Sequence, residues 1–149
     1  ELQLCGSKYE ELISLLLKNI FILISRSIEN NIKFSDTSEK EVAFAMHYFR
    51  KNYNIEISIG KYAESRGLSV CWFIRCFKQV TGSTPLQYIL NLRISNAQSL
   101  LESTDYSISE VASAVGYDNP LYFSRLFHKQ VGMPPKEYRK KQNISDNNI

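Results

Sequence analysis

Arg75 and Arg125 lie fifty positions apart in the same local setting, Phe-x-Arg-x-Phe. They are the side chains whose type and spacing most invite chemistry. A guanidinium is permanently charged and holds its donors in a planar fork, suited to acceptors that present two lone pairs side by side. The other reactive types are scattered. Cys5, Cys71 and Cys76 are odd in number and lack metal-ligand spacing, so they read as free thiols of a reducing compartment. Cys71 sits near Arg75, whose charge would favour a thiolate, but an inert small residue is the simpler reading. His47 and His128 have no ligand partners in sequence and read as surface or packing residues. There is no nucleophile–base pair, glycine-rich phosphate loop or carboxylate dyad, so the sequence argues against an enzyme and implies no cofactor or metal.

The two arginines belong to an internal repeat. Phe73, Phe77, Gly82, Pro85 and Tyr88 reappear as Phe123, Phe127, Gly132, Pro135 and Tyr138 at the same offset of fifty, and Ile59, Ala63 and Gly67 recur as Ile108, Ala112 and Gly116 at forty-nine. The additional residue of the second copy falls in the turn after the glycine, which leaves the flanking helices intact. Each copy reads as helix, turn, helix. Ser58 caps a short helix carrying Ile59, Tyr62 and Ala63 inward, Gly67 stops it, and Ser69 caps a second helix with Phe73, Cys76 and Phe77 inward. In the second copy Ser107 and Glu110 form an S-x-x-E box, and Ile108, Val111 and Ala112 face inward. Gly116 is the stop, and Asn119 with Pro120 opens a helix whose inward stripe is Phe123, Leu126 and Phe127. Ala followed four residues later by Gly suits a steep crossing of two helices.

Three further helices frame the copies. Ser38-x-x-Glu41 opens one through Lys51, with Val42, Ala45, Met46 and Phe49 on one face. Thr84-Pro85 opens a longer one to about Glu102, with Leu86, Ile89, Leu90, Ile94, Ala97 and Leu101 inward. A short helix from Pro135 to about Lys141 closes the domain, and residues 143–149 form a polar, frayed tail. Six glycines and four prolines in 149 residues leave long unbroken runs, which argues against a loop-rich β fold. Between residues 38 and 141 there are 14 Lys/Arg against 9 Asp/Glu, whereas the first 37 residues hold four and five. The basic surplus therefore sits on the repeat, where it permits phosphate contact without demanding it.

The stretch SISEVASAVGYDNPLYFSRLFHKQVGMPPKEYR (107–139) resembles the C-terminal signature of the AraC/XylS family of bacterial transcription regulators, and SIGKYAESRGLSVCWFIRCFKQVTGSTPLQYI (58–89) resembles its first unit more loosely. The resemblance covers residues 38–141. It implies an all-α, homeodomain-like domain over 38–142, with two helix-turn-helix units (58–82 and 107–132) joined by a long central helix, whose two recognition helices enter successive major-groove segments of double-stranded DNA. Its base-reading positions fall on Val70, Cys71, Ile74 and Arg75 in the first unit and on Pro120, Leu121, Ser124 and Arg125 in the second. Arg75 and Arg125 suit guanine O6 and N7. Ser69, Lys78, Asn119, His128 and Lys129 are the phosphate candidates. Val70, Cys71, Ile74, Pro120 and Leu121 are more apolar than base reading by hydrogen bonds would require, and suit thymine methyls or mere positioning. Arg93, in the central helix, reads instead as a brace of the fold. Trp72 and Tyr122 read as packing against neighbouring helices.

Residues 1–37 pose a separate question. From Leu12 to Ile24 apolar side chains cover most of a helix circumference, interrupted by Lys18 and Asn19, too short and polar a run for a bilayer. No cleavage signal follows, so a cytoplasmic protein with no membrane partner is expected. The first residue is not Met, and a longer parent is expected. The helix reads as the remnant of an upstream regulatory or dimerisation domain, pairing with its copy in a homodimer or folding back on the repeat. RNA polymerase is the other expected partner. A protein-interaction module acting through this helix, with the repeat as scaffold, is the alternative reading.

Overall fold

The computed structural model describes residues 2–146, with the side chains of residue 13, of 15–25 and of 37–141. Seven helices make up the described residues: α1 (Leu2–Asn52), α2 (Ile59–Ser65), α3 (Val70–Thr81), α4 (Pro85–Ser103), α5 (Ile108–Ala114), α6 (Pro120–Val131) and α7 (Pro135–Asp146). Backbone contacts divide the chain into two compact units, Glu1–Glu41 and Val42–Ile149.

The first unit is helical through its described length. Its described apolar side chains, among them Ile13, Leu17, Ile20, Phe21 and Leu23, are all between 46% and 71% exposed. Leu12 and Cys5 lie outside the described side chains. Among the described residues no helix is long and apolar enough to cross a membrane. No helix starts at Ser38, contrary to the sequence reading. The reason is local: no Gly or Pro occurs between Gly6 and Gly60, so nothing breaks the backbone ladder and a cap is not needed.

In the second unit the caps form as the sequence predicts. Ser58, Ser69 and Thr84 accept from the backbone N–H three residues on, each at 3.3 Å. Asn119 Oδ1 accepts from Leu121 N (2.9 Å) and Tyr122 N (3.1 Å). Ser107 and Glu110 complete a reciprocal capping box, with Ser107 N donating to the Glu110 carboxylate at 2.7 Å. That backbone bond holds the Glu110 carboxyl below its ordinary range. The box is therefore intact above the usual carboxylate pKa and loosens as pH falls through the lowered one. Gly82 and Gly132 end α3 and α6 in the left-handed conformation. α7 runs past its expected end near Lys141 to Asp146, because no breaker follows Pro135; residues 147–149 lie outside the described ones.

Two apolar clusters form the cores. One is built on Phe49, Tyr62, Phe73 and Phe77, the other on Leu101, Val111, Phe123 and Phe127. The repeat-related Ala63 and Ala112 are both fully buried. α4 serves both cores, giving Ile89 to the first and Ile94, Ala97 and Leu101 to the second. Those last three match Val42, Ala45 and Phe49 of α1 at a constant offset of fifty-two. Hence α4 stands to the second helix-turn-helix as the end of α1 stands to the first. The repeat-related tyrosines complete the parallel: Tyr88 Oη accepts from Arg50 of α1 at 3.0 Å, and Tyr138 Oη donates to Glu102 of α4 at 2.5 Å.

Two expectations for the core are corrected. Leu86, expected inward, is 66% exposed. It stands in the first turn of α4, where it borders an apolar hollow with Ile74 and Pro85. Leu126 is only half-buried and lines an open groove with Leu90, Arg93 and Tyr117, so the stripe of α6 is Phe123 and Phe127 alone.

Candidate nucleic-acid interface

α3 and α6 are each pinned from within and left open without. In α3, Phe73, Cys76 and Phe77 are buried to 1% exposure or less, which turns Val70, Cys71, Ile74, Arg75 and Lys78 to the exposed side. In α6 the buried pair Phe123 and Phe127 leaves Leu121, Arg125, His128 and Lys129 exposed, with Pro120 and Ser124 half-buried. The ring pairs are equivalent: Phe73–Phe77 centroids are 5.8 Å apart, as are Phe123–Phe127. A fixed inner face of this kind sets the direction of the outer one, because the stripe cannot rotate without emptying the core.

The arginines of this unit sort into two kinds. Arg50, Arg93 and Arg139 are spent on the fold: Arg50 on Tyr88, Arg93 on three backbone carbonyls, Arg139 on the carbonyls of Leu101 and Tyr106. Arg93 braces as the sequence suggests, with carbonyls of the loop after α1 and of the turn after α5 as its partners. Arg66 lies over the Phe44 ring, 5.0 Å from its centroid. Arg75 and Arg125 are exposed and make no hydrogen bond or ion pair among the described residues. They therefore keep their full donor set for an outside acceptor.

The polar candidates are not equally available. Ser124 Oγ donates to Pro120 O within its own helix at 2.8 Å, so its hydroxyl hydrogen is committed. Asn119 uses Oδ1 as the cap and keeps its amide N–H groups. Ser69 uses its oxygen as an acceptor and keeps its hydroxyl hydrogen. Burial pushes the Cys76 thiol up, with Arg75 pulling it partly back, which suits a packing role. Among the described residues no group of three His, Cys, Asp or Glu could hold a metal ion. Trp72 packs on the first core as expected. Tyr122 does so only in part: it is 57% exposed, with its ring 5.9 Å from Tyr117. Together with Leu121, 72% exposed and outward in the sequence reading as well, it gives the open side of α6 an apolar start; the exposure of Tyr122 is the part that the sequence reading misses.

Two capped helices with equivalent buried inner faces, each ending a helix-turn-helix on one shared central helix, define a DNA-binding class of fold. The helix-turn-helix domain family matches residues 62–141, and the chain belongs to it, as a domain of the AraC type of transcription regulator. The chain is similar to the MmsAB operon regulatory protein of Pseudomonas aeruginosa, 40% identical over 94 residues, which cover 63% of this chain and 31% of that protein. Among solved structures it resembles the C-terminal domain of AraT, a response regulator from Geobacillus stearothermophilus. That match has a TM-score of 0.65 and 32% identity, covering 68% of this chain and 84% of that one. It also resembles the DNA-binding domain of the global transcriptional factor AdpA, solved in complex with a target DNA, with a TM-score of 0.61, 31% identity and coverage of 72% and 94%. The chain spans 31% to 43% of the length of the first curated relatives it matches.

Proposed function

We propose that residues 38–142 bind double-stranded DNA in a sequence-specific manner as the output part of a transcription regulator. In this reading α3 and α6 enter two major-groove segments on one face of the duplex, roughly 34 Å or one helical turn apart. Arg75 and Arg125 read guanine edges, Val70, Cys71, Ile74, Pro120 and Leu121 meet apolar base edges such as thymine methyls, and Ser124 is a minor contributor. Ser69, Lys78, Asn119, His128 and Lys129 hold phosphates. One observation carries the reading: the same buried Phe pair recurs under an exposed arginine that the fold does not use. RNA polymerase is the partner such a regulator requires, and the reading places the protein in the cytoplasm.

Selection of bound duplexes from a random library at near-physiological salt tests this. Two enriched boxes about one turn apart support two reading units in one monomer; no enrichment overturns specific binding. On the enriched site Arg125→Ala is expected to cost about 1–3 kcal/mol and to relax one base position. An equal loss on every sequence would make Arg125 a phosphate contact instead.

The exposed apolar side chains of residues 13–24 favour an added role for residues 1–37, as a piece of an upstream domain that joins two copies of the chain. Light scattering on a chain beginning at Ser38 is expected to report a smaller assembly than the full 149 residues; an unchanged mass refutes the dimer.

A further inference from the structure

Besides the single residue in the turn, the two repeats differ in length at a second place, which the DNA reading does not use. The constant offset of fifty-two between α1 and α4 falls to forty-nine between α2 and α5, so the connection into α2 is three residues longer than that into α5: one falls in the last turn of α1, and two in the loop, 53–58 against 104–107. The structure shows what the excess does. Arg93 of α4 donates Nε to Tyr53 O at 2.6 Å and Nη2 to Ile55 O at 2.8 Å, both in this loop. Its Nη1 donates to Gly116 O at 3.2 Å, in the turn of the second helix-turn-helix. The guanidinium carbon lies 4.9 Å from the Tyr117 ring centroid. Between the two carbonyls of the loop, Asn54 meets Gly116 directly. A Cβ at Gly116 would stand 2.5 Å from Asn54 O and 2.8 Å from its carbonyl carbon, so the loop and the turn touch backbone to backbone. Gly116 is also left-handed, with φ of 88°.

We infer that this joint sets the angle between the two reading units, and that Arg93 is a positioning residue which fixes the spacing of DNA boxes the protein accepts. The inference rests on the two-box reading above. A single helix joining two units leaves them free to bend and twist about it. A fork donating to carbonyls of both units removes that freedom, since rotating either unit breaks at least one charge-assisted bond. The consequence on DNA is angular: with roughly 10.5 base pairs per turn, one added base pair rotates the second box by about 34°. Two rigidly joined modules gain from each other only when the geometry lets both engage at once. A stiff joint thus makes a sharp spacing preference, and a loose one a flat preference.

The test binds the full chain to duplexes whose enriched boxes are moved apart or together by up to two base pairs. It also measures the distance between spin labels at Gln79 and Gln130. The wild-type protein is expected to prefer one spacing by about tenfold or more over a two-pair shift, with a narrow distance distribution. Arg93→Lys keeps the charge and loses the fork. It is expected to flatten the preference to about twofold and to broaden the distances, while binding to a duplex with one box is unchanged. A folded Arg93→Lys protein with the same sharp optimum and the same narrow distances overturns the inference. Should that variant fail to fold, Gly116→Ala takes its place; its methyl group must push Asn54 away and is expected to move the preferred spacing, and an unmoved optimum is equally fatal. If the wild-type protein enriches no boxes, the DNA reading fails, and the label distances alone show whether Arg93 holds the units together.

Discussion

Phe123→Ala is expected to lower the stability of the second unit by about 3–5 kcal/mol, and the loss should be felt at Trp72, in the other core. Phe123 is fully buried, with ring centroids of Tyr117 at 5.7 Å and Phe127 at 5.8 Å. Removing it leaves a cavity between α5 and α6 that the surrounding packed side chains fill only in part. The two cores share α4, where Ile89 and Ile94 are only five residues apart, and they share the Arg93 joint. Unfolding one core therefore exposes part of the other. Trp72 is the sole tryptophan and packs on the first core, so its fluorescence reports that core while circular dichroism reports every helix. In urea both transitions should move to lower concentration together. A helical signal that moves while Trp72 stays put would show two independent units.

The second large effect concerns salt. If Lys78 and Lys129 each displace a counterion from a phosphate, the binding constant on the enriched site falls roughly 10-fold between 50 and 200 mM salt. Lys129→Ala should weaken binding to all sequences alike and flatten the log–log slope by about one. Titration of a labelled duplex across that range reads both. Binding indifferent to salt would favour the interaction module acting through the N-terminal helix, whose apolar contacts carry no counterion term.

The legible part of this chain was the part written in side-chain types with local consequences. Caps at Ser58, Ser69, Thr84, Ser107 and Asn119 need only a residue and the N–H groups just after it, and all five formed. Inner stripes such as Phe73 and Phe77 follow from helical period. Period alone does not tell how far a core reaches along α4: it turns Leu86 inward, whereas the first turn lies at the margin of the core. Capping chemistry at Ser38 was overridden by a run without breakers. The bracing role of Arg93 was readable from its place in the central helix, but its acceptors were not. They are backbone carbonyls of Tyr53, Ile55 and Gly116, and a carbonyl looks the same in every residue of a sequence. The exposure of Arg75 and Arg125 is seen directly, whereas the bases they would touch belong to the other molecule.

Because α4 closes one helix-turn-helix and opens the next, there is no seam between the two at which residues 42–146 can be cut into two working halves. A cut before α4 removes Ile89 from the first core, and a cut after it removes Ile94, Ala97 and Leu101 from the second. Grafting a new specificity onto this scaffold must therefore exchange a cassette inside the frame, α2 with α3 or α5 with α6, and leave the shared helix untouched. The first cassette carries a further constraint: residues 53–55 have to travel with the host and not with the insert, because they are fitted to the neighbouring unit.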